Sequence, residues 1–176
     1  MSSQSLPKAI QDKLLDLEKK IKNLTAHSYI IKVGWFEKEM AKIAKIQEFG
    51  AHITVTDKMR RFLGWKFGIH LKKTTTMITI PPRPHMKNVV EKNIAKWKKE
   101  LAKQLEKNKF DLEKSLKVMG MVMAQDYKKS FFEDGVFQEL AGATIAIRQQ
   151  KDIGGTLPLV ATNEMQRQIK SEVIKQ

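Results

Sequence analysis

The sequence contains no cysteine among its 176 residues. This absence excludes a disulfide framework, a thiolate nucleophile and a zinc site of the cysteine type. No uninterrupted apolar run approaches the roughly 18 residues that span a bilayer, and the amino terminus lacks the apolar core of a signal peptide. We therefore expect a protein that is made in the cytosol and does not associate with a membrane.

Recognisable catalytic motifs are also missing. The histidines are scattered without paired metal-ligand spacing, and no phosphate-binding loop of the GxxxxGK type is present. Each of them is more simply explained as a surface or packing residue: His27, His52, His70 and His85. The sequence predicts no catalytic residues, no metal site and no cofactor, so we do not expect an enzyme.

Positive charge is abundant and unevenly distributed. The formal net charge is +14, and residues 51–85 hold seven basic side chains against one acidic one. Such a segment attracts phosphate groups or an acidic protein surface, although lysine-rich solvated faces are common. Only five of the 33 basic residues are arginine. Because bidentate reading of bases favours arginine, the composition argues against sequence-specific DNA recognition.

The amino-terminal segment 1–27 has the apolar spacing of an amphipathic helix. Its apolar residues recur every three or four positions: Leu6, Ile10, Leu14, Leu17, Ile21 and Leu24. The simpler interpretation is a helix that covers one side of the domain. The alternative is a strap that reaches a neighbouring subunit.

Segment 84–132 predicts a long helix, because apolar residues from Val90 to Phe131 keep helical spacing. The phase is weakest at 106–111, where Asn108 or Asp111 could cap a second helix. Gly120 costs about 1 kcal/mol relative to alanine inside a helix. A close approach of another chain segment would explain why glycine stands there.

The remaining segments complete an α+β fold. Alternating apolar residues predict strands near 29–35, 53–56, 75–80 and 168–175. We expect a small mixed or antiparallel sheet of about four strands, packed against the long and possibly kinked helix. One domain would comprise 1–27, the strand-helix-strand region 28–80, 84–132 and a returning segment 140–176.

The basic insert 57–73 interleaves basic and aromatic residues between two of these strands. In the simpler interpretation Asp57 caps a short helix whose apolar face, Met59, Phe62, Leu63 and Phe67, covers the core. Alternatively, the insert contacts a neighbouring protein or nucleic acid. The candidate contacts with DNA in a channel or with an acidic partner are Lys58, Arg60, Arg61, Lys66, Lys72 and Lys73. The candidate inter-subunit or partner interface is Ile80, Pro81, Pro82, Arg83, Pro84, Phe62, Trp65 and Phe67.

Several segments follow one another in a distinctive order. They are Val33 to Phe36 followed by Ala41 to Gly50, the lead-in Ile80 to Pro84, the long helix with Gly120, Thr144 to Arg148, and Leu157 to Val160 followed by Glu164-Met165. This ordered set resembles the tailed-phage family of tail-completion, or neck and virion-morphogenesis, proteins. The sequence departs from the family at Ala161 and Asn163, where Asp and Gly are usual, and at His85, where Phe is usual.

The resemblance implies a non-enzymatic α+β virion protein, assembled in the host cytoplasm and located at the head–tail junction. It implies a homo-oligomeric ring that contacts head-completion or connector proteins and the tail terminator or tail tube, with duplex DNA in its channel. A tail terminator that caps the tube is the alternative within the family. The rival from another class is a non-specific nucleic-acid-binding protein.

Overall fold

The computed structural model describes residues 7–133, 137–153 and 155–176. Over these residues the chain forms seven helices and four strands, which confirms the α+β class. The helices are α1 (Lys8–Thr25), α2 (Lys38–Phe49), α3 (Asp57–Phe67), α4 (His85–Lys107), α5 (Leu112–Ser130), α6 (Gly142–Gln150) and α7 (Glu164–Arg167). The strands are β1 (Tyr29–Gly34), β2 (Ala51–Thr54), β3 (Met77–Ile80) and β4 (Lys170–Lys175).

The four strands form two separate two-stranded sheets in the described ranges, so the prediction of one four-stranded sheet is wrong. β2 pairs with β3 in antiparallel register, from Ala51 opposite Ile80 to Thr54 opposite Met77. β1 pairs with β4, and the Gln176 N–H donates to the Ser28 carbonyl at 2.8 Å. Alternating apolar residues identify a strand but do not specify which other strand it pairs with. The sequence therefore did not distinguish one four-stranded sheet from two two-stranded sheets.

The chain divides into two compact units, each assembled from distant segments. The first unit comprises Met1–Val33, Ile94–Met123 and Ser171–Gln176. The second comprises Gly34–Asn93 and Ala124–Lys170. The prediction of a single domain is not tested by this division and stays a prediction.

In the first unit, the predicted interruption of the long helix is confirmed. The Asp111 carboxylate accepts the Lys114 N–H at 3.0 Å and therefore caps α5. Lys109 and Phe110 have φ values of 54° and 63°, in the left-handed region that no helix continues through. The buried Ser115 hydroxyl donates to the Gln104 carbonyl at 3.1 Å, which ties the start of α5 to the end of α4.

The expected close approach at Gly120 is also present. A Cβ at this position would lie 3.1 Å from the Ser171 Cβ and 3.5 Å from the Ile31 Cγ2. Glycine therefore lets α5 pack closely against the sheet formed by β1 and β4.

The amino-terminal helix α1 forms as predicted, but none of its residues is buried. We call its exposed apolar row, Ile10, Leu14, Leu17 and Ile21, the α1 stripe. Each of these side chains is between 45% and 52% exposed. Leu6 lies outside the described residues. These side chains are therefore about half covered, and both interpretations of α1, the helix that covers one side of the domain and the strap that reaches a neighbouring subunit, stay predictions.

The second unit has an aromatic core. The Trp35 ring packs edge-on against His85, Tyr127 and Phe131, with ring centroids 5.4 to 6.4 Å apart. Its indole N–H donates to the Met165 carbonyl at 2.6 Å. This cluster brings residues from both ends of the second unit's sequence around the start of α4.

Candidate partner and nucleic-acid interface

The basic insert forms α3 and the loop that leads to β3. Thr56, and not the predicted Asp57, caps α3, because its hydroxyl accepts the Met59 N–H at 3.2 Å. Gly68 ends the helix with a left-handed φ of 65°, and its N–H donates to the Gly64 carbonyl. Phe62 is 50% exposed, so the prediction that it covers the core is wrong, whereas Met59, Leu63 and Phe67 are half-buried.

Arg60 holds the loop of the insert in place. Its guanidinium donates to the carbonyl oxygens of Lys72 at 2.7 Å and Thr75, with longer contacts to those of Leu71 and Lys73. Five N–H groups in one planar fork suit this arrangement of several carbonyls. Arg60 is half-buried and its donors are directed to its own loop, so in this structure it positions the insert and does not face outward as predicted.

The other basic residues proposed to contact DNA or an acidic partner are all exposed: Lys58, Arg61, Lys66, Lys72 and Lys73. They lie on α3 and on the loop that Arg60 closes, and none of them forms an ion pair within the described ranges. A group of unpaired cations on one insert produces a positive surface that can bind phosphate or carboxylate groups without reading sequence.

The aromatic residues of the insert differ in exposure. Trp65 is 81% exposed, and the Lys66 ammonium lies 5.8 Å from its ring centroid. Phe67 is half-buried, with the Lys151 ammonium 5.3 Å from its ring and its carbonyl bonded to the Gln150 amide at 2.9 Å. Trp65 is thus the aromatic side chain of the insert that is most available to a partner.

The proline-rich lead-in is fixed to the end of α2. The Arg83 N–H, one of the few backbone donors in the lead-in, bonds the Gln47 carbonyl at 2.7 Å. Gly50 has a φ of 73°, and a Cβ there would lie 2.6 Å from the Ile80 carbonyl oxygen, so only glycine fits. Pro82 is exposed, and Pro81 and Pro84 are half-buried with Ile80. Pro82 is thus the lead-in residue that is most accessible to a partner.

Arg83 is buried, with 6% of its surface exposed, which sequence reasoning did not predict. Its guanidinium donates to the Gln47 side-chain oxygen at 3.3 Å and to the Gln138 carbonyl at 3.4 Å. Burial, together with the nearby Arg148 charge, lowers the pKa of Arg83. Arg83 is therefore not part of the open surface, but it is one of the residues that line a cleft described below.

Glu48 is a positioning residue that the sequence did not reveal. Its buried carboxylate accepts the backbone N–H groups of Met86 at 2.8 Å and Lys87 at 3.1 Å. A carboxylate at these amides compensates the unpaired donors and the positive dipole at the start of α4. Glu48 lies 37 residues before the first residue of α4, so no local sequence pattern could have identified it as the cap of that helix.

His85 and Tyr127 form a buried hydrogen-bonded pair in the same core. The His85 Nε2 lies 3.3 Å from the Ala44 carbonyl, which can only accept, so this nitrogen carries the proton. Burial lowers the pKa of His85 despite the opposing effect of Glu48 at 3.5 Å. The neutral ring then accepts the Tyr127 hydroxyl at 2.6 Å through Nδ1, and burial raises the pKa of that hydroxyl. His85 thus bonds the Tyr127 hydroxyl and the Ala44 carbonyl within the core.

A cleft of about 1190 Å³ opens in the second unit. Its walls come from α2, α3, β3, α6 and the segment 157–163, and its apolar lining includes Met40, Ile43, Leu63, Ile78 and Ile147. Arg83 and Arg148 also line it, and we call it the arginine cleft. Arg148 is 8% exposed and bonds the carbonyls of Gly155, Leu157 and Val160 at 3.0 to 3.3 Å.

No group of three or more His, Cys, Asp or Glu side chains that could hold a metal ion is found among the residues that the structure describes. Within the same residues, no helix is both long enough and apolar enough to cross a membrane. Comparisons with protein-family models, curated proteins and solved structures found no match to this chain.

Proposed function

We propose that this chain is a structural component of a tailed phage or prophage virion. It would be a tail-completion or neck protein that forms a homo-oligomeric ring at the head–tail junction. The observation that carries this proposal is a row of half-exposed apolar side chains on α1, together with the exposed Trp65 on α3. The α1 stripe is about half exposed, and Trp65 on α3 is 81% exposed. A contiguous exposed apolar row is a common mark of a surface that contacts another protein.

Several of the segments that carry the family resemblance contact one another in the second unit, whereas Gly120 of the long helix belongs to the first. Glu48 caps the helix that follows the proline lead-in, and Gly50 packs against that lead-in. Trp35 bonds the Met165 carbonyl, and Arg148 bonds the carbonyls of Leu157 and Val160. Residues that are far apart in the sequence thus contact one another in the structure. These contacts support a shared fold more strongly than any single motif does.

The basic insert supplies a surface for the DNA path of such a ring. Its five exposed cations, Lys58, Arg61, Lys66, Lys72 and Lys73, would meet duplex phosphates or the acidic rim of an adjacent ring. Lysine contacts of this kind are weak and reversible, and they weaken as the salt concentration rises. This chemistry suits DNA that must move past the protein.

The proposal is tested by measuring the mass of the full chain in solution by light scattering across a concentration series. Electron microscopy of the same samples would then look for rings. We expect a concentration-dependent closed ring, and Trp65→Ala should raise the concentration needed for assembly by about tenfold if Trp65 anchors an interface. Met121→Ala, which removes another apolar side chain that is 61% exposed, is the matched control and should have little effect. A chain that stays monomeric at every concentration, alone and with head or tail components, would contradict the proposal.

A second candidate function is non-specific nucleic-acid binding by the free monomer. It is favoured by the exposed Trp65 ring beside Lys66, because single-strand binders combine aromatic stacking with cations. Tight, salt-sensitive binding of single-stranded DNA by a monomer, lost in Trp65→Ala, would support this function over the ring. A tail terminator that caps the tail tube would also form a ring. Co-purification with tube protein instead of connector protein would distinguish it from a neck protein.

A further inference from the structure

The α1 stripe and a free carboxylate lie side by side on α1. The stripe residues occupy one face at helical spacing, and Glu18 follows Leu14 by four positions and precedes Ile21 by three. Glu18 therefore flanks the stripe. Asp16 pairs with Lys20 at 2.6 Å, whereas Glu18 forms no ion pair within the described residues.

The arginine cleft has the complementary chemistry. Its walls are largely apolar, and two buried arginines that line it form no ion pair with a carboxylate in the described ranges. Glu164 also lines the cleft, but its carboxylate is bonded to Arg167 and Gln168. Glu139 also lines the cleft; it is exposed and forms no ion pair with either arginine in the described ranges. Buried charges without a counter-charge are costly, so this cleft favours an apolar occupant that carries a carboxylate.

We propose that α1 of one copy of this chain lies in the arginine cleft of a second copy. The α1 stripe would cover the apolar walls, and the Glu18 carboxylate would meet Arg83 and Arg148. An amphipathic helix laid in an apolar groove is a recurrent mode of recognition.

This interface would join two different surfaces of the same chain. Such a heterologous contact generates a ring when the rotation between copies closes. The inference rests on the proposed ring and deepens it, because it identifies the surfaces that would join each subunit to the next.

The absence of cysteine allows a direct test by disulfide cross-linking of the full chain. Leu17→Cys places one thiol in the α1 stripe, and Thr144→Cys places another on the exposed lining of the cleft. Mixing the two single variants under mild oxidation should give a cross-linked heterodimer of these two positions. Lys19→Cys, on the opposite face of α1, is the matched control and should cross-link to Thr144→Cys about tenfold less.

The charge contact is tested in the same mixture. Glu18→Gln in the Leu17→Cys chain should lower the heterodimer yield several-fold, whereas Asp12→Asn, which removes an exposed carboxylate from the opposite face, should not. Equal cross-linking by Leu17→Cys and Lys19→Cys would overturn the proposal. So would an intramolecular disulfide in the chain that carries both Leu17→Cys and Thr144→Cys, since α1 would then occupy the cleft of its own chain.

Light scattering on the unmodified protein separates the two possible failures. If the protein forms a ring and the thiols do not cross-link, this interface is wrong while the proposed function stands. If the protein remains monomeric at every concentration, alone and with head or tail components, the proposed function itself fails. A cleft that binds a small amphipathic carboxylate such as decanoate, with no cross-link to α1, would also overturn the choice of occupant.

Discussion

Arg60 should be essential to the shape of the basic insert, and Arg60→Lys tests this role without changing the net charge. The guanidinium reaches the Lys72 carbonyl through Nη1 and the Thr75 carbonyl through Nη2, and the single nitrogen of a lysine ammonium cannot reproduce this fork. Hydrogen bonds to a charged group contribute about 1.5 to 3 kcal/mol each when well formed. Because Arg60 is only half-buried and lysine retains part of the interaction, we expect a loss of about 1 to 3 kcal/mol in the free energy of unfolding.

The measurement is urea denaturation of the full chain, with Arg61→Lys as the matched control. Arg61 is exposed and adjacent, so its replacement should change the free energy of unfolding by less than about 0.5 kcal/mol. Amide hydrogen exchange gives a local readout, because the Thr75 N–H bonds the Lys72 carbonyl and the Val55 N–H bonds the Thr76 carbonyl. Both amides should exchange faster in Arg60→Lys only. Identical stability and exchange in the two variants would refute this role of Arg60.

Two further predictions concern packing in each unit. Gly120→Leu would force a side chain against Ser171 and should destabilise the protein by about 1 to 3 kcal/mol. The control Gly142→Ala, with open space at the Cβ position, should be neutral or slightly stabilising. Equal melting temperatures of the two variants would contradict this prediction. The lowered pKa of His85 keeps its ring neutral in the folded protein while the unfolded chain takes up a proton below about pH 6.5. Stability should therefore fall as the pH drops below that value, by at most about 1.4 kcal/mol per pH unit from this residue. In the double variant His85→Phe, Tyr127→Phe, the free energy of unfolding should decline less steeply between pH 7 and 5 than in the unmodified protein, as measured by denaturation. Equal slopes for the two proteins would argue against this prediction.

Several parts of this protein followed from local sequence patterns. The apolar spacing predicted α1 and the long helical region, and Asp111 was one of two residues expected to cap the second helix. Gly120 was expected at a close approach, and the concentration of cations predicted the exposed positive surface of the insert. These features depend on residues within a few positions of one another, and local periodicity, capping and composition record such relations directly.

The pairing of strands and the partners of the charged residues were decided only by the tertiary structure. Glu48 caps a helix that begins 37 residues later, Arg60 turns back to its own loop, and Arg83 is buried in a cleft although it stands in a proline-rich segment. Spacing along a chain shows which residues share a face, but it does not specify which distant segment will cover that face. The sequence by itself determined the helices, the strand segments and the excess of positive charge. Because long-range contacts depend on how the whole chain packs, only the tertiary structure decided which cations are free to meet a partner and how much of the α1 stripe is exposed.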